Sequence, residues 1–297
     1  MVTGAQGFIG RNLCKSLVDH GIAITRVDNL SVTPVVAPPG DFNPISVEDL
    51  KPADLSCTDL VFHLAAHKSV PLSFNQKSAE RNLTADHHLL RIAGEAGVPR
   101  IFIASSCEVY GEAGGALNSE EDLAAPRSPY AVSKLAAEHL ARVYSSIYKD
   151  SRFTALRFFN VYGWDEGRDA VIPGFVTCAL EGRPLQIEGD GEQRRDFSHI
   201  DDIIRVLMRI INCSELPPIL NIGSGRSYSV NEVMKIIGSL CPEIIVNWTL
   251  GRVNEITEFR ADTSTLRGLL GGSQPGRSLK TGIAQVMNQI RESGQPG

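Results

Sequence analysis

At 297 residues the chain exceeds a typical compact domain, so we expect one large domain accompanied by a smaller one. Its 42% hydrophobic and 21% charged residues suffice for a buried core, and its net charge of −5, with scattered Lys and Arg, argues against nucleic acid as a partner. No apolar run approaches the roughly 20 residues that cross a bilayer, which argues against a membrane protein.

Short apolar runs alternate with longer amphipathic segments in the first half of the chain. The apolar runs predict strands at residues 22–27, 60–64, 101–104 and 153–159. Apolar residues at three- and four-residue spacing predict helices at residues 8–19, 79–96 and 130–148. Strands and helices that alternate in this way predict an α/β fold, a doubly wound Rossmann sheet of parallel strands.

The first strand of this sheet would be short. A glycine-rich turn begins at Thr3 and leaves little more than Met1 and Val2 for the strand. A central strand usually has about five residues, so residues upstream of Met1 would be needed to complete one of that length.

The pattern changes after Asn160, where Gly and Pro become frequent. Here the sequence predicts a helix at 173–181, an extended segment at 185–187, a helix at 201–213, and a loop at 271–277 before a final helix. We therefore divide the chain into residues 1–160, mainly the Rossmann domain, and residues 161–297, a smaller C-terminal substrate-binding portion. Some elements of this second portion are expected to return to the Rossmann sheet.

The cysteines and histidines do not predict a metal site. Six cysteines lie far apart and form neither a C-x-x-C pair nor a zinc-binding spacing. His63 and His67 are four residues apart, but His63 is expected at the end of a strand. The N-terminus does not resemble a signal peptide. These observations favour a cytoplasmic protein with reduced thiols.

The segment TGAQGFIG carries three glycines that lead into the first helix. Gly4 permits a tight turn, Gly7 lets the backbone approach a pyrophosphate, and Gly10 allows close packing of the helix on the strand. The helix N-terminus, which begins with Phe8 and Ile9, supplies N–H groups to phosphates. The pattern indicates a dinucleotide site, and an ordinary glycine-rich turn is the alternative.

Asp28 strengthens the prediction of a dinucleotide site. It closes the next predicted strand, where a carboxylate can accept hydrogen bonds from the adenosine ribose. A carboxylate there repels a 2′-phosphate, so NAD is predicted over NADP. Asn29, the next residue, is also expected to bind the cofactor. A simple turn before Asn29 is the alternative role for Asp28.

Tyr130 and Lys134 form a Y-x-x-x-K pair on one face of a predicted helix. An ammonium group beside the phenol can lower the Tyr pKa and let the phenolate act as a base. Ser106 follows a predicted parallel strand, at the end that faces a ligand crevice, where its hydroxyl can contact a substrate near Tyr130. Taken alone, the pair is also compatible with a core Tyr beside a solvated Lys.

Five motifs in this order resemble the extended short-chain dehydrogenases/reductases of the NAD-dependent epimerase/dehydratase family: TGAQGFIG, HLAAHKSV, SSCEVYG, SPYAVSK and RFFNVYG. The resemblance covers nearly the whole chain. It implies a Rossmann fold, bound NAD, a UDP-sugar substrate, and a homodimer formed through the Y-x-x-x-K helix and the helix before it.

The resemblance also implies roles for the catalytic residues. Tyr130 would be the base at the sugar 4-hydroxyl, Lys134 would bind the nicotinamide ribose, and Ser106 would contact the 4-oxygen. The HLAAHKSV motif would lie beside the cofactor, with Leu64, Ala65 and Ala66 allowing its close approach and Lys68 either lining the active site or lying in a solvated loop.

Four further residues match substrate-binding positions of the family. Arg195, in GDGEQRRDFSHIDD, would bind the diphosphate, and Asn160 would contact the sugar diphosphate. Arg252 and Glu255 match an Arg-x-x-acid element, in which Arg meets phosphate and the carboxylate meets the uridine ribose.

The two residues after Ser106 separate the subfamilies. In 4-epimerases these positions are usually small or hydroxylic, whereas 4,6-dehydratases carry Asp then Glu; this chain has Cys107 and Glu108. Glu108 matches the base that takes the carbon-5 proton, and Cys107 stands where the acid for the departing 6-hydroxyl would be. A thiol, with a reference pKa of about 8.5, is protonated at pH 7. The alternative role for Cys107 is packing in the core. The alternative for Glu108 is that of an ordinary carboxylate on the surface.

A narrower resemblance, carried by HKSVPLSF, SCEVYG, EGDGEQRRDF and NEITEFRADT, is to the sugar-nucleotide 5,6-dehydratases of tunicamycin-type antibiotic biosynthesis. It implies that UDP-N-acetylglucosamine is oxidised at carbon 4, loses its 6-hydroxyl and regains hydride at carbon 4. The alternatives are a 4,6-dehydratase, a 4-epimerase and a non-catalytic NAD-binding sensor. The sensor predicts loss of Tyr130 or Lys134, and both are present.

Overall fold

The computed structural model describes residues 1–31, 44–75, 77–112, 117–167, 169–252, 255–272 and 276–293. The strands are β1 (Val2–Thr3), β2 (Arg26–Val27), β3 (Leu60–His63), β4 (Arg100–Ser106), β5 (Arg152–Phe158), β6 (Asn160–Tyr162), β7 (Leu185–Glu188), β8 (Arg194–His199), β9 (Ile219–Ile222), β10 (Ser227–Ser229) and β11 (Val246–Thr249). The helices are α1 (Phe8–Asp19), α2 (Val70–Ser73), α3 (Ser78–Glu95), α4 (Pro129–Ile147), α5 (Val171–Leu180), α6 (Ile200–Ile210), α7 (Val230–Leu240), α8 (Ser264–Leu269) and α9 (Leu279–Glu292).

A six-stranded sheet in the order β2-β1-β3-β4-β5-β9 confirms the predicted α/β Rossmann class. β1 pairs in parallel with β2 on one side and with β3 on the other, and β3, β4 and β5 continue in parallel. The direction of winding therefore reverses between β1 and β3. In such sheets, ligands bind beyond the carboxyl ends of the strands at this reversal.

The chain folds into two compact units. Unit 1 comprises residues 1–111, 120–158 and 207–221 and contains the large sheet. Its core joins Leu89 and Ala93 of α3 to Ile101 of β4 and Ala137 of α4. β4 and β5 are apolar runs that are buried almost throughout, as expected for parallel strands covered on both faces.

Unit 2 comprises residues 112–119, 159–206 and 222–297. It holds a three-stranded sheet in the order β10-β8-β6 and the parallel pair β11-β7. Its core is formed where α5, α7 and α9 pack on these strands, with Val176, Ile187, Val233 and Ile283 at its centre.

The predicted helix at 8–19 is confirmed residue for residue, and two other elements are shorter than predicted by two residues or more. The strand expected at 22–27 is limited to Arg26–Val27, because only Val2 and Thr3 of β1 are available to pair with it. The helix expected at 201–213 ends at Ile210, and the chain continues in a turn. Every helix within the described ranges is too short or too polar to span a bilayer.

Candidate active site

The glycine turn between β1 and α1 is closely packed by backbone. Gly4 has φ +65°, and a Cβ on it would lie 2.6 Å from the backbone nitrogen of Ala65. A Cβ on Gly10 would overlap the carbonyl oxygen of Gly4. Gly7 is the N-cap of α1, which then begins with Phe8, and the N-cap residue makes no side-chain hydrogen bond to the first turn of this 12-residue helix. The shape fits a dinucleotide, whose pyrophosphate needs bare backbone and a helix N-terminus.

Asp28 is held beside the glycine turn by backbone donors. Its Oδ2 accepts a hydrogen bond from the Gln6 N–H at 2.9 Å, and its Oδ1 accepts one from the Leu30 N–H at 2.8 Å. Each carboxylate oxygen has a second lone pair, which leaves acceptors for ribose hydroxyls. The Asn29 side chain donates a hydrogen bond to the Ser46 hydroxyl at 3.3 Å.

The loop after β3 lies at the reversal point of the sheet. The Leu64 N–H donates to the Thr3 carbonyl at 3.2 Å, and the Ala65 N–H reaches the Thr3 hydroxyl at 3.4 Å. Further along, the Asn82 side chain holds the backbone of His67, accepting from its N–H at 2.8 Å and donating to its carbonyl at 3.0 Å. This loop, which includes Ala66 and leads to Lys68 and α2, is thus fixed against β1 and α3.

The side chains of Ser106, Cys107, Glu108 and Tyr130 come together at the carboxyl end of β4. β4 ends at Ser106, and a 3₁₀ turn from Cys107 to Tyr110 follows. The Ser106 hydroxyl accepts from the Glu108 N–H at 3.2 Å and shares a hydrogen bond with Tyr130. Cys107 is buried and Glu108 half-buried, and both act electrostatically on Tyr130.

Tyr130 and Lys134 lie one turn apart on α4, but the structure corrects the expected electrostatics of the pair. Burial raises the pKa of Tyr130, the hydrogen bond with Ser106 opposes that rise, and electrostatic interactions with Cys107, Glu108 and Asp86 add to it. Lys134 is paired instead with Asp86, with 3.5 Å between Nζ and Oδ2. The lowering of the Tyr130 pKa expected from Lys134 is therefore not found.

A buried ion pair supports this end of β4. Arg157 of β5 donates to both carboxylate oxygens of Glu138 on α4, at 2.9 and 2.7 Å, and Glu138 also accepts from the hydroxyl of Ser105. The Arg157 guanidinium lies 4.6 Å from the centre of the Tyr110 ring. These contacts fix the residues on either side of Ser106 to α4 and β5.

Sequence reasoning missed His63 and Asp86 as parts of the site. His63 Nε2 lies 2.9 Å from Asp86 Oδ1, and neither side chain is exposed. A signal was present in α3, where Asn82 and Asp86 fall at helical spacing on the face that carries Leu89 and Ala93. A carboxylate on an apolar face needs a partner, and the partner here is Lys134.

The predicted substrate-binding residues other than Lys68 lie in unit 2. Arg195 of β8 forms an ion pair with Glu255 and donates to the Ile256 carbonyl at 2.9 Å. Arg252, after β11, pairs with Glu188 instead. Asn160 is exposed at the start of β6. The structure thus brings Arg195 together with Glu255, whereas Arg252 makes a separate pair.

No group of three or more His, Cys, Asp or Glu side chains that could hold a metal is present among the described residues.

The fold and the glycine turn define a Rossmann-fold enzyme of the short-chain dehydrogenase/reductase class. The model of the NAD dependent epimerase/dehydratase family matches residues 1–223, and the chain belongs to that family. NAD is the cofactor of this enzyme.

The chain is similar over nearly its whole length to solved structures and curated proteins that include a dehydratase and an epimerase. TunA, described as an NAD-dependent NDP-hexosamine 5,6-dehydratase involved in tunicamycin biosynthesis, is 40% identical with a TM-score of 0.93, covering 98% of this chain and 97% of its own. MoeE5, in complex with UDP-glucose and NAD, is 35% identical with a TM-score of 0.90 over 99% of both chains. YtcB of Bacillus subtilis (strain 168), described as an uncharacterized UDP-glucose epimerase, is 32% identical over 95% of both chains.

Proposed function

We propose that the protein is a UDP-N-acetylglucosamine 5,6-dehydratase of a tunicamycin-like antibiotic pathway. The observation that carries the proposal is the Cys107–Glu108 pair, which follows Ser106 and lies within electrostatic range of Tyr130. The 40% identity to TunA supports it. Removal of water from a sugar needs a base and an acid beside the group that oxidises carbon 4, and this cluster contains both.

Each residue of the cluster has a defined task in this reaction. Tyr130, which shares a hydrogen bond with Ser106, takes the proton of the 4-hydroxyl. NAD, when bound, would supply the acceptor for the hydride of carbon 4 and the source of its return to that carbon. The 4-ketone acidifies the hydrogen on carbon 5, and Glu108 removes it as a proton. Cys107 protonates the 6-oxygen, which leaves as water. When carbon 4 is reduced again, Tyr130 returns its proton to the 4-oxygen. The product therefore keeps its 4-hydroxyl and has gained a double bond between carbons 5 and 6.

Cys107 suits the role of acid because an ordinary thiol is protonated at neutral pH. A carboxyl in the same place must first have its pKa raised before it can donate a proton at pH 7. Glu108 suits the role of base because it is half-buried and its backbone N–H is bound to Ser106, which fixes the start of the turn that carries it.

The proposal also assigns the nucleotide-sugar contacts. Unit 2 is proposed to bind the UDP portion, with Arg195 at the diphosphate, Glu255 at the uridine ribose, Arg252 at phosphate and Asn160 at the sugar diphosphate. Support comes from MoeE5, a similar protein whose structure contains UDP-glucose. Arg195 already has its guanidinium oriented by Glu255 and by the Ile256 carbonyl.

A homodimer through α3 and α4 is proposed as well. Val132, Val143 and Ile147 recur at helical spacing on one face of α4, and each is more than half exposed. Leu83 on the adjoining α3 is also exposed. An apolar stripe over two packed helices is the kind of surface that a second copy covers.

Variants of the acid and the base test the proposal. Glu108→Gln should abolish loss of water while leaving NAD affinity unchanged, because an amide cannot accept the carbon-5 proton. Cys107→Ala should lower kcat by roughly a hundredfold with little change in KM, a typical loss when a general acid is removed. Mass spectrometry of UDP-N-acetylglucosamine incubations measures the loss of one water. Turnover unchanged in Glu108→Gln would contradict the assignment of the base.

A further inference from the structure

A buried chain of side chains runs from the glycine turn to the catalytic helix. The Thr3 hydroxyl on β1 is 2.7 Å from Nδ1 of His63, and Nε2 of His63 is 2.9 Å from Oδ1 of Asp86. Oδ2 of Asp86 is 3.5 Å from Nζ of Lys134. All four residues are at most 2% exposed, and they come from β1, β3, α3 and α4 of unit 1.

The contact between Thr3 and His63 indicates which nitrogen of His63 carries the proton. The Thr3 hydroxyl oxygen accepts from the Ala65 N–H, so the hydroxyl proton is available to Nδ1 of His63. His63 then carries its proton on Nε2, facing Asp86. The Nε2 contact departs from ideal hydrogen-bond angles, although the two atoms are only 2.9 Å apart. On its other side, Asp86 faces the ammonium group of Lys134.

The charge of Asp86 persists in the core because of these two partners. Burial by itself raises the pKa of Asp86, but the Lys134 ammonium and the contact with His63 outweigh burial and hold that pKa below its usual value. Lys134 depends on Asp86 in turn, because a buried ammonium without a counter-charge is strongly destabilised. Lys134 has three N–H donors, so one directed at Asp86 leaves two for other acceptors.

We propose that Asp86 is a positioning residue for Lys134, and that Thr3 and His63 hold Asp86 in place. One buried chain then fixes both the strand that ends in the cofactor turn and the lysine of the Y-x-x-x-K pair. The inference rests on the proposed roles of Tyr130 and Lys134. Asp86 itself touches neither substrate nor cofactor in this account.

Asp86 also affects the pKa of the proposed base, Tyr130, which a purely structural residue would not do. Two parts of the chain influence the pKa of Tyr130. The end of β4 and the turn after it contribute Ser106, Cys107 and Glu108, and α3 contributes Asp86. Of these, the hydrogen bond with Ser106 lowers the pKa of Tyr130, whereas Cys107, Glu108 and Asp86 each raise it. The short helix α2, which also packs against α4, carries only the uncharged sequence VPLS. Replacing Asp86 with a neutral residue should therefore ease the ionisation of Tyr130 while releasing Lys134.

The test is Asp86→Asn in the full-length enzyme, with NAD affinity and the pH dependence of kcat as readouts. NAD should bind roughly tenfold more weakly, the scale of losing one charge-assisted contact. The acid limb of the kcat profile should move to lower pH by about half to one unit, since a nearby negative charge is gone. An acid limb that stays in place or moves to higher pH would overturn the proposal, as would unchanged NAD affinity.

Glu138→Gln is the matched control. It breaks a different buried ion pair of unit 1, between Glu138 of α4 and Arg157, by the same loss of charge. Glu138 is not among the groups that act on Tyr130. We expect it to lower stability yet leave the acid limb where the wild-type enzyme has it. A matching shift in Glu138→Gln would overturn the specific role of Asp86.

Two changes at His63 keep the proposal testable if Asp86→Asn does not fold. His63→Leu removes the support of Asp86 and should weaken NAD binding several-fold. His63→Gln retains an N–H donor toward Asp86 and should recover most of the affinity. Equal affinity in both variants would overturn the proposal.

Tyr130→Phe separates this inference from the proposed function. If Tyr130→Phe retains activity, the catalytic pair is misassigned and both fail. If Tyr130→Phe is inactive but Asp86→Asn behaves like the wild type, the inference alone fails.

Discussion

Gly10 of α1 lies so close to Gly4 that a Cβ on Gly10 would overlap the carbonyl oxygen of Gly4. The helix therefore begins directly against the turn, and the turn itself is packed on the loop after β3, where Ala65 lies. A side chain at either glycine would push the helix N-terminus away from the place where phosphates bind.

Gly10→Ala should weaken NAD binding by at least tenfold, because forcing a methyl group into closely packed backbone costs about 1–3 kcal/mol. Titration of NAD into the purified variant measures the effect. Gly268→Ala is the matched control, since Gly268 lies in helix α8 and a Cβ there meets nothing within 4 Å. Equal NAD affinity in the two variants would show that the close approach at Gly10 does not shape the site.

Arg195→Ala should raise the KM for UDP-N-acetylglucosamine by roughly 10- to 100-fold, as expected for loss of a charge-assisted contact worth about 1.5–3 kcal/mol. kcat should change little, because Arg195 is assigned to binding alone. Steady-state kinetics provide the measurement. Arg183→Ala is the control, since Arg183 is an exposed arginine of the same unit that pairs with Glu181. An unchanged KM in Arg195→Ala would contradict the proposal that Arg195 binds the diphosphate.

His199 should make the protein less stable as the pH falls. Burial, followed by the charge of Arg277, lowers the pKa of His199 to about 4, although Asp201 opposes the shift. An unfolded His binds a proton near pH 6.5, so between these values the unfolded state takes up more protons. The stabilisation is therefore complete above about pH 7 and is lost progressively toward pH 4.

The free energy of unfolding should fall by about 2 kcal/mol more in the wild type than in His199→Asn between about pH 7 and about pH 5. Urea unfolding at each pH measures the difference. His20→Asn is the control, because His20 is an exposed histidine at the end of α1. Identical pH slopes for the wild type and His199→Asn would contradict the effect assigned to burial.

The double change Val143→Glu with Ile147→Glu should convert a dimer into a monomer, because two charges would be buried on the apolar stripe of α4. Sedimentation velocity at several concentrations measures the change. Leu123→Glu is the control, since Leu123 is 94% exposed and lies outside α3 and α4. A wild-type protein that is monomeric at every concentration would contradict the proposed dimer through α3 and α4.

The parts of the site that could be predicted from sequence are those set by local chain geometry. The helix at 8–19 and the turn at Gly4 follow from glycine spacing and apolar periodicity over a few residues. The strand predicted at 101–104 is also found, although it extends over Arg100–Ser106. Asp28 was predictable because it closes the strand after the glycine helix, and its contact with the Gln6 N–H agrees with that position.

The contacts that escaped prediction join residues far apart in the chain. His63, Asp86 and Lys134 are separated by 23 and 48 residues, and nothing in their local patterns says that β3, α3 and α4 bring them together. The short β2 is a similar case, since its length is decided by the two residues of β1 that pair with it.

The most direct test of the proposed reaction is a proton NMR time course of the NAD-bound enzyme with UDP-N-acetylglucosamine in deuterated buffer. We expect new vinylic signals with no new methyl signal, as an exocyclic double bond between carbons 5 and 6 would produce. A methyl group beside a ketone would mean 4,6-dehydration, with hydride delivered to carbon 6. A galacto-configured product without loss of water would contradict the roles given to Cys107 and Glu108 and make the enzyme an epimerase.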